Sequence, residues 1–163
     1  MGIFDKTVAS PLKFIPKPVV RKVASRYVAG ETLEEAVAQA KRLNEAGCMV
    51  TMDLLGEAIE NEQQAVDSAD VYLDILDAIA EHGIDGNVSI KPTHFGLAIS
   101  RDLFERNVRR VADKAGEMNN FVRIDMEDSP TTDDTIAIFR KLREEGYDHV
   151  GVVLQAMLLR TLD

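Results

Sequence analysis

Two hydrophobic patterns alternate along most of the chain. Stretches with apolar residues three or four positions apart are typical of amphipathic helices, and the short continuous apolar runs between them are typical of buried strands. Helices that alternate with short strands predict parallel strands joined by right-handed crossovers. The predicted helices span 32–46, 57–82, 100–118 and 132–145, and the predicted strands span 48–54, 87–91, 121–128 and 149–156.

Residues that start helices support these boundaries. Thr32 is followed three residues later by Glu35, which is a capping box, and Ser100 precedes the third helix of this series. Each helix except the third is followed by a glycine that can stop it. These glycines are Gly47, Gly83 and Gly146.

The N-terminal region has a different character. Prolines at 11, 16 and 18 predict an irregular arm, and the basic segment Pro18–Ala29 predicts a short helix that ends at Gly30. We therefore divide the chain into an arm with lead-in helices, residues 1–47, and a series of strand–helix units, residues 48–163.

The same local pattern fits both an open doubly wound sheet and an α/β barrel. No predicted strand is followed by GxGxxG or GxxxxGK[ST], the phosphate-binding loops common in open sheets. Polar residues end all four predicted strands, as in barrels, whose catalytic residues come from the ends of several strands. The pattern favours a partial barrel, with the open sheet as the alternative. The strand-end residues are Asp53, Lys91, Asp125 and Gln155.

Lys91 and Asp125 are the principal site candidates. In RIDMED (123–128), Arg123, Asp125 and Glu127 share one face of the predicted strand. A carboxylate in a buried strand is costly unless it is paired, and Lys91 ends the neighbouring predicted strand. We therefore predict a Lys91–Asp125 ion pair at the mouth of the barrel. An amide at Gln155 can both donate to and accept from a ring edge.

Other candidates are weaker from sequence alone. His94 lies in a predicted loop, where a lone histidine is usually solvated. Asp53 and Glu57 are a candidate acid pair, although Glu57 also suits the start of a helix. Cys48 is the single cysteine and is expected to be a small buried residue. No Cys/His spacing suggests zinc, and we predict no metal site.

Composition narrows the functional classes. The net charge of −9 disfavours nucleic-acid binding, since an acidic chain repels phosphate backbones. The chain has no apolar run of about 18 residues that could span a membrane. A single cysteine excludes an intrachain disulfide and suits a reducing cytosol, so we expect a cytoplasmic protein.

Four segments resemble the successive strand motifs of the bacterial proline dehydrogenase family. FVRIDMEDSP followed by VVLQ is the most specific of these matches, and YVAGETLEEA (27–36) is similar to the family's N-terminal helical lead-in. The resemblance covers nearly the whole chain. The four segments are VTMDLLGEA (50–58), NVSIKPTHFGL (87–97), FVRIDMEDSP (121–130) and VGVVLQAMLLRT (150–161).

The resemblance implies a distorted α/β barrel that binds FAD at the carboxyl ends of its strands. It implies oxidation of L-proline to Δ1-pyrroline-5-carboxylate, with electrons passed to a quinone at the membrane, where we expect at most peripheral contact. By motif, Lys91 would bind the substrate carboxylate and Asp125 would be the active-site acid. Met126 and Gln155 would contact the flavin.

At 163 residues the chain is shorter than a complete eight-unit barrel, which needs about 250 residues. The family's fifth-strand arginine motif and the arginine pair of its last helix have no counterpart here. We therefore expect the first half of the barrel, with unpaired edges, an exposed apolar interior, self-association and little activity alone. The alternatives are a non-catalytic assembly module that keeps half of the flavin surface and a lyase that uses Lys91 as a Schiff base.

Overall fold

The computed structural model describes residues 28–56 and 59–162. The arm lies outside the described residues, as does almost all of the basic helix predicted before Gly30. Within them, helices alternate with the strands of a four-stranded parallel sheet. The elements are α1 (Leu33–Glu45), β1 (Val50–Met52), α2 (Glu62–His82), β2 (Gly86–Ile90), α3 (Arg101–Glu117), β3 (Val122–Ile124), α4 (Thr132–Glu144), β4 (Val150–Val152) and a final 3-10 turn (Leu159–Leu162).

The order of the strands distinguishes the two architectures that the sequence left open. The sheet runs β1-β2-β3-β4, with every neighbouring pair parallel. A doubly wound sheet reverses direction at a switch point, where successive strands are added on opposite sides. A sheet that adds each new strand on the same side winds as a barrel does. The prediction of a partial barrel is therefore confirmed.

The two faces of the sheet differ in polarity. Val88 and Ile124, which point toward the helices, are fully buried. The opposite face, which is the interior of a barrel, carries Thr51, Ser89 and Arg123, and the guanidinium of Arg123 donates to the hydroxyl of Thr51 at 3.3 Å across the intervening strand. The expectation of an apolar interior is wrong for the middle of this sheet, because polar side chains occupy its inward positions.

The predicted helix boundaries agree with the structure except at the start of α2. Thr32 and Ser100 cap α1 and α3 by accepting from the main-chain N–H three residues later. The second helix begins at Glu62 rather than at 57, because the side chain of Asn61 accepts from the N–H of Gln64 at 3.0 Å. An asparagine cap satisfies an otherwise unpaired donor and so decides where the helix begins.

Three of the four observed strands are shorter than predicted, and at 121–128 the strand β3 spans only Val122–Ile124. After Ile124, the carboxylate of Asp125 accepts from the N–H of Met126 at 2.9 Å. A side chain that bonds the adjacent main chain competes with the strand ladder. The residues from Asp125 onward, which were predicted to end this strand, therefore belong to the loop at its carboxyl end.

Gly96 shapes the loop between β2 and α3. Its φ of +92° is rare for side chains with a Cβ, and an added Cβ would lie 2.5 Å from Cδ2 of Leu103. This close approach packs the loop against the first turn of α3. The loop begins at Lys91, so the glycine helps to hold a strand-end candidate in place.

We predict that Gly96→Ala destabilises the protein more than Gly146→Ala does. Gly146 has nearly the same φ, +93°, but an added Cβ would meet no atom within 4 Å. Backbone strain alone costs about 1–3 kcal/mol, and overpacking adds about 1–3 kcal/mol at Gly96 only. Chemical denaturation measures both free energies of unfolding. Equal losses in the two variants would contradict the packing role of Gly96.

Candidate functional site

The carboxyl ends of the four strands bring the predicted site residues to one end of the sheet. Ile90 pairs with Ile124, so the next residues, Lys91 and Asp125, leave their strands side by side. Asp53 follows β1 and Gln155 lies three residues after β4. Parallel pairing therefore collects residues that are separated by about a hundred positions in the chain.

The ion pair of Lys91 differs from the predicted one. Its ammonium contacts Oδ2 of Asp53, which follows the neighbouring strand on the other side. Lys91 has 24% of its side chain exposed and Asp53 has 37%. The predicted Lys91–Asp125 ion pair is not formed, although the two residues are neighbours. The prediction named the right lysine and the wrong carboxylate.

Hydrogen bonds hold the two candidate carboxylates in different orientations. One carboxylate oxygen of Asp125, Oδ1, accepts from the N–H of Met126 at 2.9 Å. For Asp53, Oδ1 instead lies 3.0 Å from the hydroxyl of Tyr72, which leaves Oδ2 for Lys91. Asp125 is bound to its own main chain, and Asp53 is oriented toward the lysine.

Tyr72 is a site residue that sequence reasoning missed. It lies on α2, is fully buried, and packs edge-on against Phe95 with ring centroids 5.2 Å apart. Its hydroxyl accepts from the N–H of Leu54 at 3.1 Å and lies 2.7 Å from the carbonyl oxygen of Ser89. Burial is the main cause that raises the pKa of this phenol, and the nearby charge of Asp53 adds to the increase.

A signal for Tyr72 was present in the sequence. The helical spacing of Ala69, Leu73 and Leu76 predicts a buried stripe that includes Leu73, but Leu73 is only half-buried and its neighbour Tyr72 takes the buried position. A buried tyrosine usually finds a hydrogen-bond partner for its hydroxyl. A tyrosine beside the apolar stripe of a helix that packs on a parallel sheet was therefore a candidate for a polar contact with the sheet.

The predicted flavin contacts lie next to each other. The side-chain amide of Gln155 donates from Nε2 to the carbonyl oxygen of Met126 at 2.6 Å, which ties the end of β4 to the end of β3. The hydroxyl of Thr161 donates to the carbonyl oxygen of Gln155 at 2.6 Å. The side chain of Met126 is buried, with 3% exposed. The contact with Gln155 is therefore made by the main-chain carbonyl oxygen of Met126.

Glu127 joins two of the loops around the site. Its carboxylate accepts from the N–H of Thr93 at 2.7 Å and from the hydroxyl of Thr93 at 2.8 Å. Glu127 follows β3 and Thr93 follows β2, so this double hydrogen bond holds the two strand ends together. Charge-assisted bonds of this kind are stronger than neutral ones. We name it the Thr93–Glu127 clamp.

The structure tests two of the three weaker candidates. His94 was expected to be solvated and is buried, with 8% exposed, where its ring lies 3.1 Å from the place a Cβ would take on Gly56. Cys48 was expected to be buried and is exposed, because it precedes β1 at the open side of the sheet. Glu57 lies outside the described residues, so the acid pair with Asp53 stays a prediction.

The described residues lack both a metal-binding cluster and a membrane-spanning helix. Over 28–56 and 59–162, no group of three or more His, Cys, Asp or Glu side chains is placed to hold a metal ion. In the same part of the chain, none of the helices combines the length and the apolar character that crossing a membrane requires.

A parallel sheet wound as a barrel, with charged and amide side chains at the carboxyl ends of successive strands, defines a protein of the α/β-barrel class. The family model described as "Proline dehydrogenase" matches residues 36–163. The chain therefore belongs to the proline dehydrogenase family, as the resemblance predicted.

Curated relatives support the same family. Proline dehydrogenase 1 of Bacillus subtilis subsp. natto is 37% identical over 151 residues, which are 93% of this chain and 50% of that protein. Proline dehydrogenase of Deinococcus radiodurans is 38% identical over 144 residues, which are 86% of this chain and 46% of that protein. The chain thus spans about half the length of the curated relatives that it matches.

A solved structure supports the fold. The crystal structure of proline utilization A from Bdellovibrio bacteriovorus, inactivated by N-propargylglycine, superposes with a TM-score of 0.77 at 24% identity. The match covers 87% of this chain and 18% of that one. This likeness shows a shared fold, in which the strands described here are part of a much longer chain.

We predict that Glu127→Ala releases the loop after β2. Loss of the Thr93–Glu127 clamp removes two charge-assisted hydrogen bonds, worth about 1.5–3 kcal/mol each. The amide of Thr93 should exchange its proton at least roughly tenfold faster, measured by hydrogen–deuterium exchange. The control is Asp128→Ala, which removes the exposed carboxylate next in the chain. Equal exchange at Thr93 in wild type and Glu127→Ala would refute the clamp.

Proposed function

We propose that this chain supplies the first half of a flavin-dependent site that oxidises L-proline to Δ1-pyrroline-5-carboxylate. Membership of the proline dehydrogenase family supports the reaction, and the share of the relatives that the chain matches, 50% and 46%, supports the restriction to half a site. The observation that carries the proposal is the ammonium of Lys91, held at the carboxyl end of β2 by Asp53.

Lys91 is suited to bind the carboxylate of the substrate. A lysine ammonium is a compact point charge, and this one is anchored by an ion pair while about a quarter of its side chain, 24%, is exposed. Partial burial strengthens its attraction for an anion because water screens the charge less. An incoming carboxylate would compete with Asp53 for the same ammonium, or share it.

Asp125 is the proposed active-site acid. Its N–H continues the ladder to the carbonyl oxygen of Ile90 at 2.9 Å, so the main chain at this position is fixed by the sheet. Its side chain is half-buried. A carboxylate here, beside the ammonium of Lys91, matches the two charges of a zwitterionic amino acid, which carries a carboxylate and a ring ammonium.

FAD is the proposed cofactor, and the groups at the ends of β3 and β4 fit it. The amide of Gln155 keeps its carbonyl oxygen for a donor while Nε2 binds Met126, so it can meet the edge of a polar ring in a fixed orientation. Gln155 and the main chain of Met126 would hold this part of the flavin. When bound, a flavin accepts a hydride from the carbon beside the ring nitrogen of proline. A quinone is the proposed final electron acceptor.

Two alternatives make different predictions. A Schiff-base lyase needs the amine of Lys91 free to attack a substrate carbonyl, and its contact with Asp53 engages that group, which argues against that role. A non-catalytic assembly module would keep the fold without the cofactor. Titration with FAD separates this module from the dehydrogenase in part, because a complete site assembled with a second chain should give a yellow protein and a pure scaffold should stay colourless.

We predict that Lys91→Met weakens proline binding. Loss of a charged hydrogen bond costs about 1.5–3 kcal/mol, so KM for proline should rise roughly 10-fold to 150-fold in proline-dependent reduction of a dye by the full protein. The control is Lys114→Met, which removes a lysine that pairs with Asp77 at 2.7 Å on the helices and away from the strand ends. An unchanged KM in Lys91→Met would contradict the proposed role of Lys91.

Self-association of the 163-residue chain is also proposed. Among the described strands, β1 and β4 are paired on one side only. Exposed apolar side chains lie close to these two strands, and unpaired edges with apolar neighbours promote association. They are Met49 and Leu55 beside β1 and Leu154, Met157 and Leu159 after β4.

We predict that this chain sediments as a dimer or a larger species in analytical ultracentrifugation. Leu154→Lys, which places a charge beside the β4 edge, should shift the distribution toward monomer by about tenfold in the association constant. Ile99→Lys is the matched control, since Ile99 is exposed but lies in the loop before α3. A wild-type monomer at micromolar concentration would reject the proposal.

A further inference from the structure

The hydroxyl of Tyr72 lies beneath the charged site and touches three groups of it. Two of these belong to the main chain at the carboxyl ends of the first two strands, namely the N–H of Leu54 and the carbonyl oxygen of Ser89. The third is Oδ1 of Asp53, at 3.0 Å. The ring is fully buried and held by its edge-on contact with Phe95.

We propose that Tyr72 is a positioning residue of the charged site: its hydroxyl fixes the carboxylate of Asp53, and Asp53 in turn fixes the ammonium of Lys91. The kinetic consequences rest on the proposed function, in which Lys91 binds the carboxylate of proline. The positioning itself rests on the contacts of these three residues alone.

The hydrogen bond from Leu54 restricts the orientation of the Tyr72 hydroxyl. The N–H of Leu54 can only donate, so it occupies a lone pair of the hydroxyl oxygen and directs the single proton of Tyr72 toward the acceptors on the other side. Those acceptors are the carbonyl oxygen of Ser89 and Oδ1 of Asp53. The carbonyl oxygen of Ser89 is the nearer acceptor, at 2.7 Å against 3.0 Å, and the carboxylate of Asp53 is the stronger one because it is ionised, so the two share the single proton.

The orientation of Asp53 then decides where Lys91 lies. With Oδ1 bound to Tyr72, the second oxygen, Oδ2, faces the ammonium of Lys91. Asp53 has 37% of its side chain exposed and follows a strand of three residues, so little else holds its carboxylate. Without the hydroxyl, the carboxylate can rotate, and the ammonium loses its fixed partner.

The test begins with Tyr72→Phe, which keeps the ring and its contact with Phe95 and removes only the hydroxyl. One lost hydrogen bond of about 0.5–1.5 kcal/mol predicts a rise in KM for proline of roughly 2-fold to 12-fold, with a smaller change in kcat. Tyr147→Phe is the matched control. Its hydroxyl donates to Asp113 at 2.7 Å near the amino ends of the strands, and the variant should leave KM unchanged.

A double-mutant cycle separates positioning from a merely structural role. In an Asp53→Ala background, Tyr72→Phe should change KM less than roughly twofold, because the residue through which Tyr72 acts is already gone. The same fold-change in both backgrounds, or an unchanged KM in Tyr72→Phe alone, would overturn the proposal.

A readout independent of activity keeps this inference separate from the proposed function. In the full protein labelled with [15N]lysine, Tyr72→Phe should shift or broaden the Nζ signal of Lys91 and leave that of Lys114, which is paired with Asp77, unchanged. An unaltered Lys91 signal overturns the proposal whatever the kinetics. If wild type does not oxidise proline but the Lys91 signal moves, the positioning stands and the proposed reaction fails.

Discussion

Parallel pairing of four strands in chain order is the constraint on which the rest of this structure depends. Each strand has only three to five residues, yet the register aligns Val88 with Val122 and Val122 with Val150. Parallel pairing makes all carboxyl ends meet at one end of the sheet. The strand-end residues are neighbours because the strands pair in this way, and not because they are close in the sequence. These residues are Asp53, Lys91, Asp125 and Gln155.

The alternation of side chains along each strand then separates stability from chemistry. One face buries valine and isoleucine against the helices, where apolar area removed from water stabilises the fold. The other face carries Thr51, Ser89 and Arg123, and the guanidinium of Arg123 donates to the hydroxyl of Thr51. Tyr72 connects the two sides, because its ring belongs to the apolar layer and its hydroxyl reaches the polar strand ends.

The local features of the fold could be predicted from the sequence. The caps at Thr32 and Ser100 and the ends of α3 and α4 follow from residues within one helical turn, and the structure agrees within one or two positions. The start of α2 was missed because Asn61 is a better cap than the acidic residues before it. Three of the four strands were overestimated because the predicted runs continue into the loops beyond the hydrogen-bonded ladder.

For the candidate site, too, some features follow from the sequence and others only from the folded structure. The sequence alone determined the family, the strand–helix pattern and the identity of Lys91 and Asp125 as residues that end adjacent strands, since these depend on motifs and periodicity. Only the tertiary structure decided that Lys91 pairs with Asp53, that Tyr72 lies beneath them, and that His94 is buried while Cys48 is exposed. These outcomes depend on which of several possible partners lies nearest in the folded chain. The spacing of residues along the sequence does not give that distance.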